Sequence, residues 1–168
     1  MSTFLERLFP EPKLLDVPFG GIDISDHSVR YCSLVYKKTH YEMGVHGETR
    51  IPDGVVVNGS IIQPEELVKV LARIQTESGL TFIRVSLPEE HAYIFELSLP
   101  RIQESEIRSS IELQLEEHVP LSNEEALFDY EIVTQDTEGY LVSVTVFPRS
   151  VAEVYLAVFI QAGFRPLS

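Results

Sequence analysis

The chain has 168 residues, 44% hydrophobic and 23% charged, a composition typical of a globular protein with one ordinary domain or two small ones. Its formal net charge of −13 argues against direct binding to nucleic acids or anionic lipid surfaces, because an acidic surface repels phosphate groups. The single cysteine, Cys32, excludes an internal disulfide and is predicted to be a buried structural thiol in a reducing compartment.

Residues 1–18 form a predicted leader with a short amphipathic turn before Pro10. Because it has few apolar residues and little positive charge, the leader is predicted to dock on the domain surface rather than to bind a membrane. The sequence shows no secretory signal, and its longest apolar run, residues 154–160, is too short to cross a bilayer. The chain is therefore predicted to be cytoplasmic.

The first predicted unit begins with three strand-like runs, at residues 19–24, 29–37 and 40–49. The links between them are short, which predicts antiparallel hairpins. A loop rich in proline and glycine leads to a helix predicted over 64–78, where apolar residues recur at helical spacing until Gly79. With a further strand over 82–87, these elements form a βββαβ unit, which is half of a layered α/β domain.

The second predicted unit begins at Pro88 and has the pattern βαββα. Its elements are a strand at 91–99, an acidic-faced helix at 104–118, a hairpin of strands 128–134 and 140–147 across the turn 136–139, and a final helix. A capping box of Ser150 and Glu153 predicts the start of the final helix, and Gly163 ends it. The extended run that follows, 164–168, suggests a strand that continues beyond Ser168.

Acidic and histidine residues are numerous but do not make a catalytic or metal-binding pattern. Neighbouring glutamates such as Glu116 and Glu117 point away from each other on a helix, so they cannot act on one substrate. The sequence has no HxxxH or CxxC spacing. It therefore predicts neither a dedicated metal site nor a catalytic residue.

Five stretches carry a family resemblance: GIDISDHSVR, VVVNGSIIQPEELVKVL, VSLPEEHAYIFELSLPRI, EIRSSIELQLEEHVPLSNEEALFDYEIV and VAEVYLAVFIQAGFRP. The fourth is the most specific, because an acidic helix runs into Val119 and Pro120 and is followed by acidic residues, Asp129, Tyr130 and a hydrophobic strand. On these stretches the chain resembles the N-terminal half of the PilM family. These are actin-like cytoplasmic proteins of type IV pilus assembly, related to the cell-division protein FtsA.

The resemblance implies an α/β (α+β) fold. It would consist of a partial actin-like (RNase H-like) βββαβ unit and a small βαββα subdomain of the 1C type. Residues 19–87 would form subdomain 1A, residues 88–163 the 1C insertion, and residues 164–168 the start of a strand returning to 1A. The second lobe, with the second phosphate loop and the adenosine pocket, is predicted to be missing from this chain.

The resemblance also implies a phosphate-binding hairpin within GIDISDHSVR. Its candidate cofactor-binding residues are Asp23, Ser25, Asp26, Ser28 and Arg30. Asp23 would hold magnesium through water if Mg-ATP binds. Asp26 opposes this interpretation, since its charge beside an incoming phosphate costs about 1 kcal/mol even in water. The alternative is an Asx-type turn in which Asp26 or Ser25 bonds the local backbone. No cofactor is expected for this chain, and ATP with magnesium only for a longer protein.

A groove between the two units is the implied partner site. Its candidate lining residues are Tyr93, Ile94, Phe95, Ile107, Ile111 and Leu115. In the PilM family, the short N-terminal cytoplasmic peptide of the membrane protein PilN lies between 1A and 1C, and an extended peptide with apolar anchors suits such a cleft. The alternative is that most of these side chains form the core of the second unit.

The leading functional hypothesis is a cytoplasmic scaffold at the inner-membrane platform of a type IV pilus or a related type II secretion machine. Its partners would be the tail of a PilN-like inner-membrane protein and other platform or motor proteins, with no nucleic acid and no direct membrane insertion. Two alternatives stay open: an actin-like ATPase whose second lobe is missing from this chain, and an FtsA-like filament tether in cell division. The chain alone is predicted not to be an enzyme, because nucleotide turnover requires the second lobe.

Overall fold

The computed structural model describes residues 19–37 and 39–167; the predicted leader, residues 1–18, lies outside the described residues. The described strands are β1 (Gly20–Ile24), β2 (Ser28–Lys37), β3 (His40–Arg50), β4 (Val56–Val57), β5 (Ser60–Ile61), β6 (Phe82–Val85), β7 (Tyr93–Pro100), β8 (Ala126–Gln135), β9 (Gly139–Pro148) and β10 (Arg165–Pro166). The described helices are α1 (Pro64–Ser78), α2 (Ile107–Glu112), α3 (Leu115–His118) and α4 (Arg149–Gln161).

Five strands form a mixed sheet in the order β10-β6-β1-β2-β3. The pairs β1–β2 and β2–β3 are antiparallel, whereas β6 runs parallel to both of its neighbours, β1 and β10. Helix α1 lies between the hairpins and β6 in the chain, as a parallel strand needs a crossover connection. This topology confirms the predicted βββαβ unit.

The first hydrophobic core lies where this sheet meets α1 and α4. Strands β1 and β2 contribute Ile22, Ile24 and Val29 to it. Helix α1 contributes its predicted apolar stripe, of which Leu67 and Leu71 are fully buried. Each such side chain contributes about 1.5–3 kcal/mol by leaving water, so the stripe fixes α1 on the sheet.

Helix α4 packs on this first core, although it directly follows β9 of the second sheet. Its buried residues, Tyr155, Val158 and Phe159, all belong to the first core cluster. The prediction places this helix in the second unit, residues 88–163, whereas in the structure it packs on the core of the first unit. The reason is that an apolar period identifies a buried face but not the surface that covers it.

Arg149, the first residue of α4, donates hydrogen bonds to backbone carbonyl groups just before β8. The backbone N–H of Arg149 donates to the Glu125 carbonyl at 2.8 Å, and Arg149 Nε donates to the Glu124 carbonyl at 2.9 Å. The helix starts at Arg149, directly after Pro148, which ends β9 in an extended conformation. The N-cap position is therefore Pro148, and no side chain caps the helix. The capping box predicted at Ser150 and Glu153 is therefore wrong.

The second sheet is antiparallel, with three strands in the order β7-β9-β8. One of its faces packs against α2 and α3 to form a separate core that includes Leu97, Val142 and Val144. The turn between β8 and β9 lies at the predicted residues 136–139. There, Asp136 Oδ1 accepts the N–H of Glu138 at 2.8 Å and that of Gly139 at 3.1 Å.

The helix predicted over 104–118 is interrupted. One turn of 3₁₀ helix, Glu104–Glu106, precedes α2, and Leu113 and Gln114 separate α2 from α3. The Gln114 N–H donates to the carbonyl of Ile111, three residues back, which tightens the chain at the break. As a result Leu115 faces the core while Leu113 is 84% exposed. Among the described helices, none has the length and apolar character needed to cross a membrane.

Cys32 is exposed rather than buried as predicted. It follows Tyr31, which packs against the first core, and successive residues of a strand point to opposite faces of the sheet. Cys32 therefore faces away from α1 and α4. The alternation along β2 is visible in the sequence, but it does not say which face the helices cover.

Candidate functional site

The predicted cofactor-binding residues lie in and beside the β1–β2 hairpin. Asp23 is directly opposite Arg30 in the register of the two strands, and Arg30 is opposite Glu48 of β3. Glu48 Oε1 accepts hydrogen bonds from Arg30 Nε at 3.1 Å and from Ser28 Oγ at 2.8 Å. Both bonds lower the pKa of Glu48, the one from the Ser28 hydroxyl more than the one from Arg30, whose positive charge lowers it further. Arg30 and Ser28 are thus engaged by Glu48.

Ser25 closes the hairpin turn on itself. Its Oγ accepts the N–H of Ser28 at 3.2 Å and the N–H of His27 at 3.4 Å. Its own backbone N–H donates to the Ser28 carbonyl at 2.9 Å. Three N–H groups of this turn therefore have partners inside the turn, whereas a phosphate-binding turn directs its N–H groups outward.

The local side-chain bonds expected for this turn are made by Ser25, whereas Asp26 contacts a distant turn. Its Oδ2 accepts the N–H of Asn58 at 2.8 Å, and its Oδ1 accepts the N–H of Gly59 at 3.1 Å. These backbone N–H groups hold the pKa of Asp26 below its usual value. The two donors connect β4 and β5 in a small hairpin where the sequence predicts only a loop. The dipeptide Asn-Gly between apolar runs is a strong hairpin signal and could have identified this turn.

Tyr155 ties the same turn to helix α4. Its hydroxyl donates to the Gly59 carbonyl at 2.9 Å, and its side chain is 1% exposed. Burial first, and then the negative charges of Glu90, Asp26 and Asp23, raise the pKa of Tyr155 to about 12. Sequence reasoning misses this residue, because the two partners are 96 positions apart and no local pattern joins them.

We expect Tyr155→Phe to lower the free energy of unfolding by about 1 kcal/mol near neutral pH, the usual net value of one hydrogen bond. The native pKa, about 12, is higher than the ordinary tyrosine value of about 10. The native state therefore holds the phenolic proton more tightly, and this stabilisation is complete below about pH 10 and lost as the pH rises to about 12. Urea unfolding across this range should show a smaller alkaline loss for Tyr155→Phe. The exposed Tyr93→Phe is the matched control, and equal alkaline losses in both variants and the wild type would contradict the assignment.

The hairpin does not fit a bound phosphate as it stands. A phosphate would have to displace the internal contacts of Ser25 and Arg30 and approach the Asp26 carboxylate, which repels it. Asp23 is half-buried, and within the described ranges it belongs to no group of three or more side chains suited to a metal. These contacts oppose phosphate binding at the hairpin of this chain, and the cofactor-binding role of the five residues stays a prediction.

The six predicted groove residues separate by burial. Ile107, Ile111 and Leu115 are at most 1% exposed and belong to the second core, so the groove prediction does not hold for them. They form the stripe by which α2 and α3 pack on the sheet. Tyr93 and Ile94 are 38% and 70% exposed. Phe95 is half-buried and stacks on the His118 ring with 4.5 Å between centroids.

Strand β7 has an open edge. One edge pairs with β9, and no other strand in the described part of the chain pairs with β7. The strand begins beside the first unit, because Ser60 Oγ of β5 lies 3.1 Å from His91 Nε2, two residues before Tyr93. An open edge presents unpaired backbone N–H and C=O groups, to which an extended peptide can add as a further strand.

Comparisons with known proteins agree with this architecture. The family described as "Type IV pilus assembly protein PilM" matches residues 21–144. A solved structure of a PilM-PilN type IV pilus biogenesis complex is similar over 90% of this chain and 46% of that chain, with a TM-score of 0.80 and 16% sequence identity. The cytoplasmic domain of EpsL, an inner membrane component of the type II secretion system of Vibrio cholerae, is similar over 90% of this chain and 56% of that chain. Its TM-score is 0.61 and its sequence identity 10%.

The two structural matches establish the fold, a mixed α/β architecture shared with PilM. This chain spans about half the length of either matched chain, 46% and 56%. No curated protein matches the sequence. The family match covers most of the chain, from β1 into β9. The chain therefore belongs to the family of the type IV pilus assembly protein PilM.

Proposed function

We propose that the chain is a cytoplasmic adaptor of the inner-membrane platform of a type IV pilus or a related type II secretion machine. It binds the N-terminal cytoplasmic peptide of a PilN-like membrane protein, and through this partner it is peripheral to the inner membrane. The observation that carries the proposal is the open edge of β7, with Ile94 exposed, beside the first unit.

The peptide adds to β7 as an extended strand. Backbone hydrogen bonds along the edge supply affinity, and the exposed side chains of Tyr93 and Ile94 supply apolar contacts. The chain's charge of −13 favours a peptide that carries basic residues beside its apolar anchors. Family membership supports this partner, and so does the structural similarity to a complex of PilM with PilN.

Cofactor binding is a separate matter from this adaptor role. For this chain we propose none, because Ser25, Asp26 and Arg30 are engaged by other protein groups. ATP with magnesium is proposed only for a longer protein, whose second lobe would supply the phosphate loop and the adenosine pocket.

Ile94→Arg should weaken binding of the peptide by at least about tenfold, since it replaces an apolar contact with a charge at an interface. The measurement is fluorescence anisotropy of a labelled peptide with the sequence of the PilN-like protein's cytoplasmic N-terminus, titrated with the full chain. Ile160→Arg is the control, because Ile160 is also exposed, at 55%, but lies on α4. Equal affinities for the two variants, or no binding by the wild type, would contradict the proposal.

Strand addition itself has a direct test. Peptides methylated on alternate backbone nitrogens lose the N–H groups that pair with one neighbouring strand but keep every side chain. One of the two alternating methylation patterns should abolish binding, and the other should leave it largely intact. Equal binding of both methylated peptides would show that the backbone edge of β7 is not the docking element.

A further inference from the structure

The turn between β4 and β5 presents two backbone N–H groups to a single anion. Asn58 and Gly59 have φ angles of 48° and 70°, both in the left-handed region. Their N–H groups donate to the two oxygens of one carboxylate at 2.8 and 3.1 Å. Consecutive turn amides of this kind form a general binding site for phosphate or carboxylate groups. The Asn58–Gly59 turn is therefore an anion site with an occupant.

The occupant comes from the hairpin that the family resemblance assigns to phosphate. Asp26 lies in the turn between β1 and β2, 32 positions before Asn58, so its carboxylate spans two turns that are distant in sequence. A second anion at this place would meet the Asp26 charge at contact distance. Such repulsion weakens the binding of a second anion, and it does so more near a protein surface than in bulk water.

Both turns are held in place from their other sides. The Gly59 carbonyl accepts the hydroxyl of buried Tyr155 at 2.9 Å. A Cβ on Gly59 would lie 2.5 Å from the Cβ of Pro88, so the turn has no room to move in that direction. On the hairpin side, Ser25 fixes the turn through its bonds to Ser28. The carboxylate therefore bridges two rigid turns.

We propose that Asp26 is an internal anion, which fills the anion site of the Asn58–Gly59 turn and so closes this end of the sheet to phosphate groups. The inference is independent of peptide binding at β7. If the charge is removed and the turns stay in place, the two N–H groups lose their partner. A phosphate group, either inorganic or part of a nucleotide, then becomes their ligand.

The test is an NMR titration of the full chain with inorganic phosphate, and separately with Mg-ATP, in the wild type and in Asp26→Ser. The backbone amides of Asn58 and Gly59 should shift saturably in Asp26→Ser, with an affinity at least about tenfold above that of the wild type, as expected for removing one like charge at contact distance. Comparing the two ligands separates a phosphate site from a nucleotide site. Asp53→Ser makes the same chemical change at an exposed position and should behave as the wild type.

Two results would overturn the inference. One is saturable phosphate binding at these amides in the wild type with the affinity of Asp26→Ser. The other is a folded Asp26→Ser that binds neither ligand. If Asp26→Ser does not fold, Asp26→Gly takes its place, because it removes both the charge and the side chain that occupies the turn, and glycine is well tolerated in turns. The same two results then decide. In the wild type, the amide signals of Asn58 and Gly59 should change with pH together with the Asp26 carboxyl, at a pH below the ordinary aspartate pKa of about 3.9.

Discussion

Phe159→Ala is expected to lower the free energy of unfolding by about 3–5 kcal/mol, the usual cost of truncating a buried aromatic ring. Phe159 is fully buried on α4, and its ring meets that of Phe164 edge-on with 5.9 Å between centroids. The cavity would lie between α4 and a sheet held by backbone hydrogen bonds, so the surroundings can collapse only in part. Because domains of this kind have only about 5–15 kcal/mol of stability, the variant should be near its unfolding threshold.

Ile160→Ala is the matched control for this prediction. It removes an aliphatic side chain one position further along α4, but Ile160 is 55% exposed. We expect its free energy of unfolding to stay within about 0.5 kcal/mol of the wild type. Urea unfolding followed by circular dichroism measures both variants. Similar losses for the two would mean that α4 does not pack on the first core through the face described.

Helix α4 also shows what local sequence patterns can and cannot predict. Its apolar period and Gly163 locate the helix to within two residues, because both signals act within a few turns of the chain. The surface that covers its apolar face depends on the position of the strands at its two ends. The helix follows β9 of the second sheet and leads to β10, which pairs with β6 of the first sheet. That information is spread over the whole topology, so a local pattern cannot contain it.

The candidate sites show the same limit. Turn chemistry predicts the β1–β2 hairpin and the charge that Asp26 places in it, but the partner of that charge is 32 positions away. A helical stripe predicts that Ile107 and Ile111 share a face, and a stripe of this kind is more often a core than a groove. The open edge of β7 follows from the strand order β7-β9-β8, which the alternation along one strand cannot reveal.

The small β4–β5 hairpin contacts both the β1–β2 turn, through Asp26, and the start of β7, whose edge is open. Asn58 and Gly59 receive the Asp26 carboxylate, and the next residue, Ser60, contacts His91 just before β7. Tyr155 holds the same turn from α4. The position of the proposed peptide edge relative to the first sheet therefore depends on a short element that the sequence suggests only through its Asn-Gly dipeptide.

Gly139→Ala is expected to lower the free energy of unfolding by about 3 kcal/mol, the upper end of the usual cost of overpacking, because backbone has to move. Gly139 is opposite Pro100 in the β7–β9 register, and an added Cβ would overlap the carbonyl oxygen of Leu99. A backbone oxygen cannot rotate away as a side chain can, so β7 has to separate from β9 at this end. Thermal or urea unfolding measures this loss of stability, and the measurement does not involve the peptide proposed to bind at β7.

Gly79→Ala is the control that separates the close approach of Gly139 to Leu99 from the backbone strain of replacing a glycine. Gly79 ends α1 with a φ of 69°, but an added Cβ there would have nothing within 4 Å. Its substitution should cost only the strain of a left-handed alanine, about 1–2 kcal/mol. Gly139→Ala should therefore be clearly the less stable of the two variants, with hydrogen exchange accelerated most at the β7–β9 pairs next to Pro100. Equal stabilities would mean that β7 and β9 do not approach each other at Gly139 as closely as the register indicates.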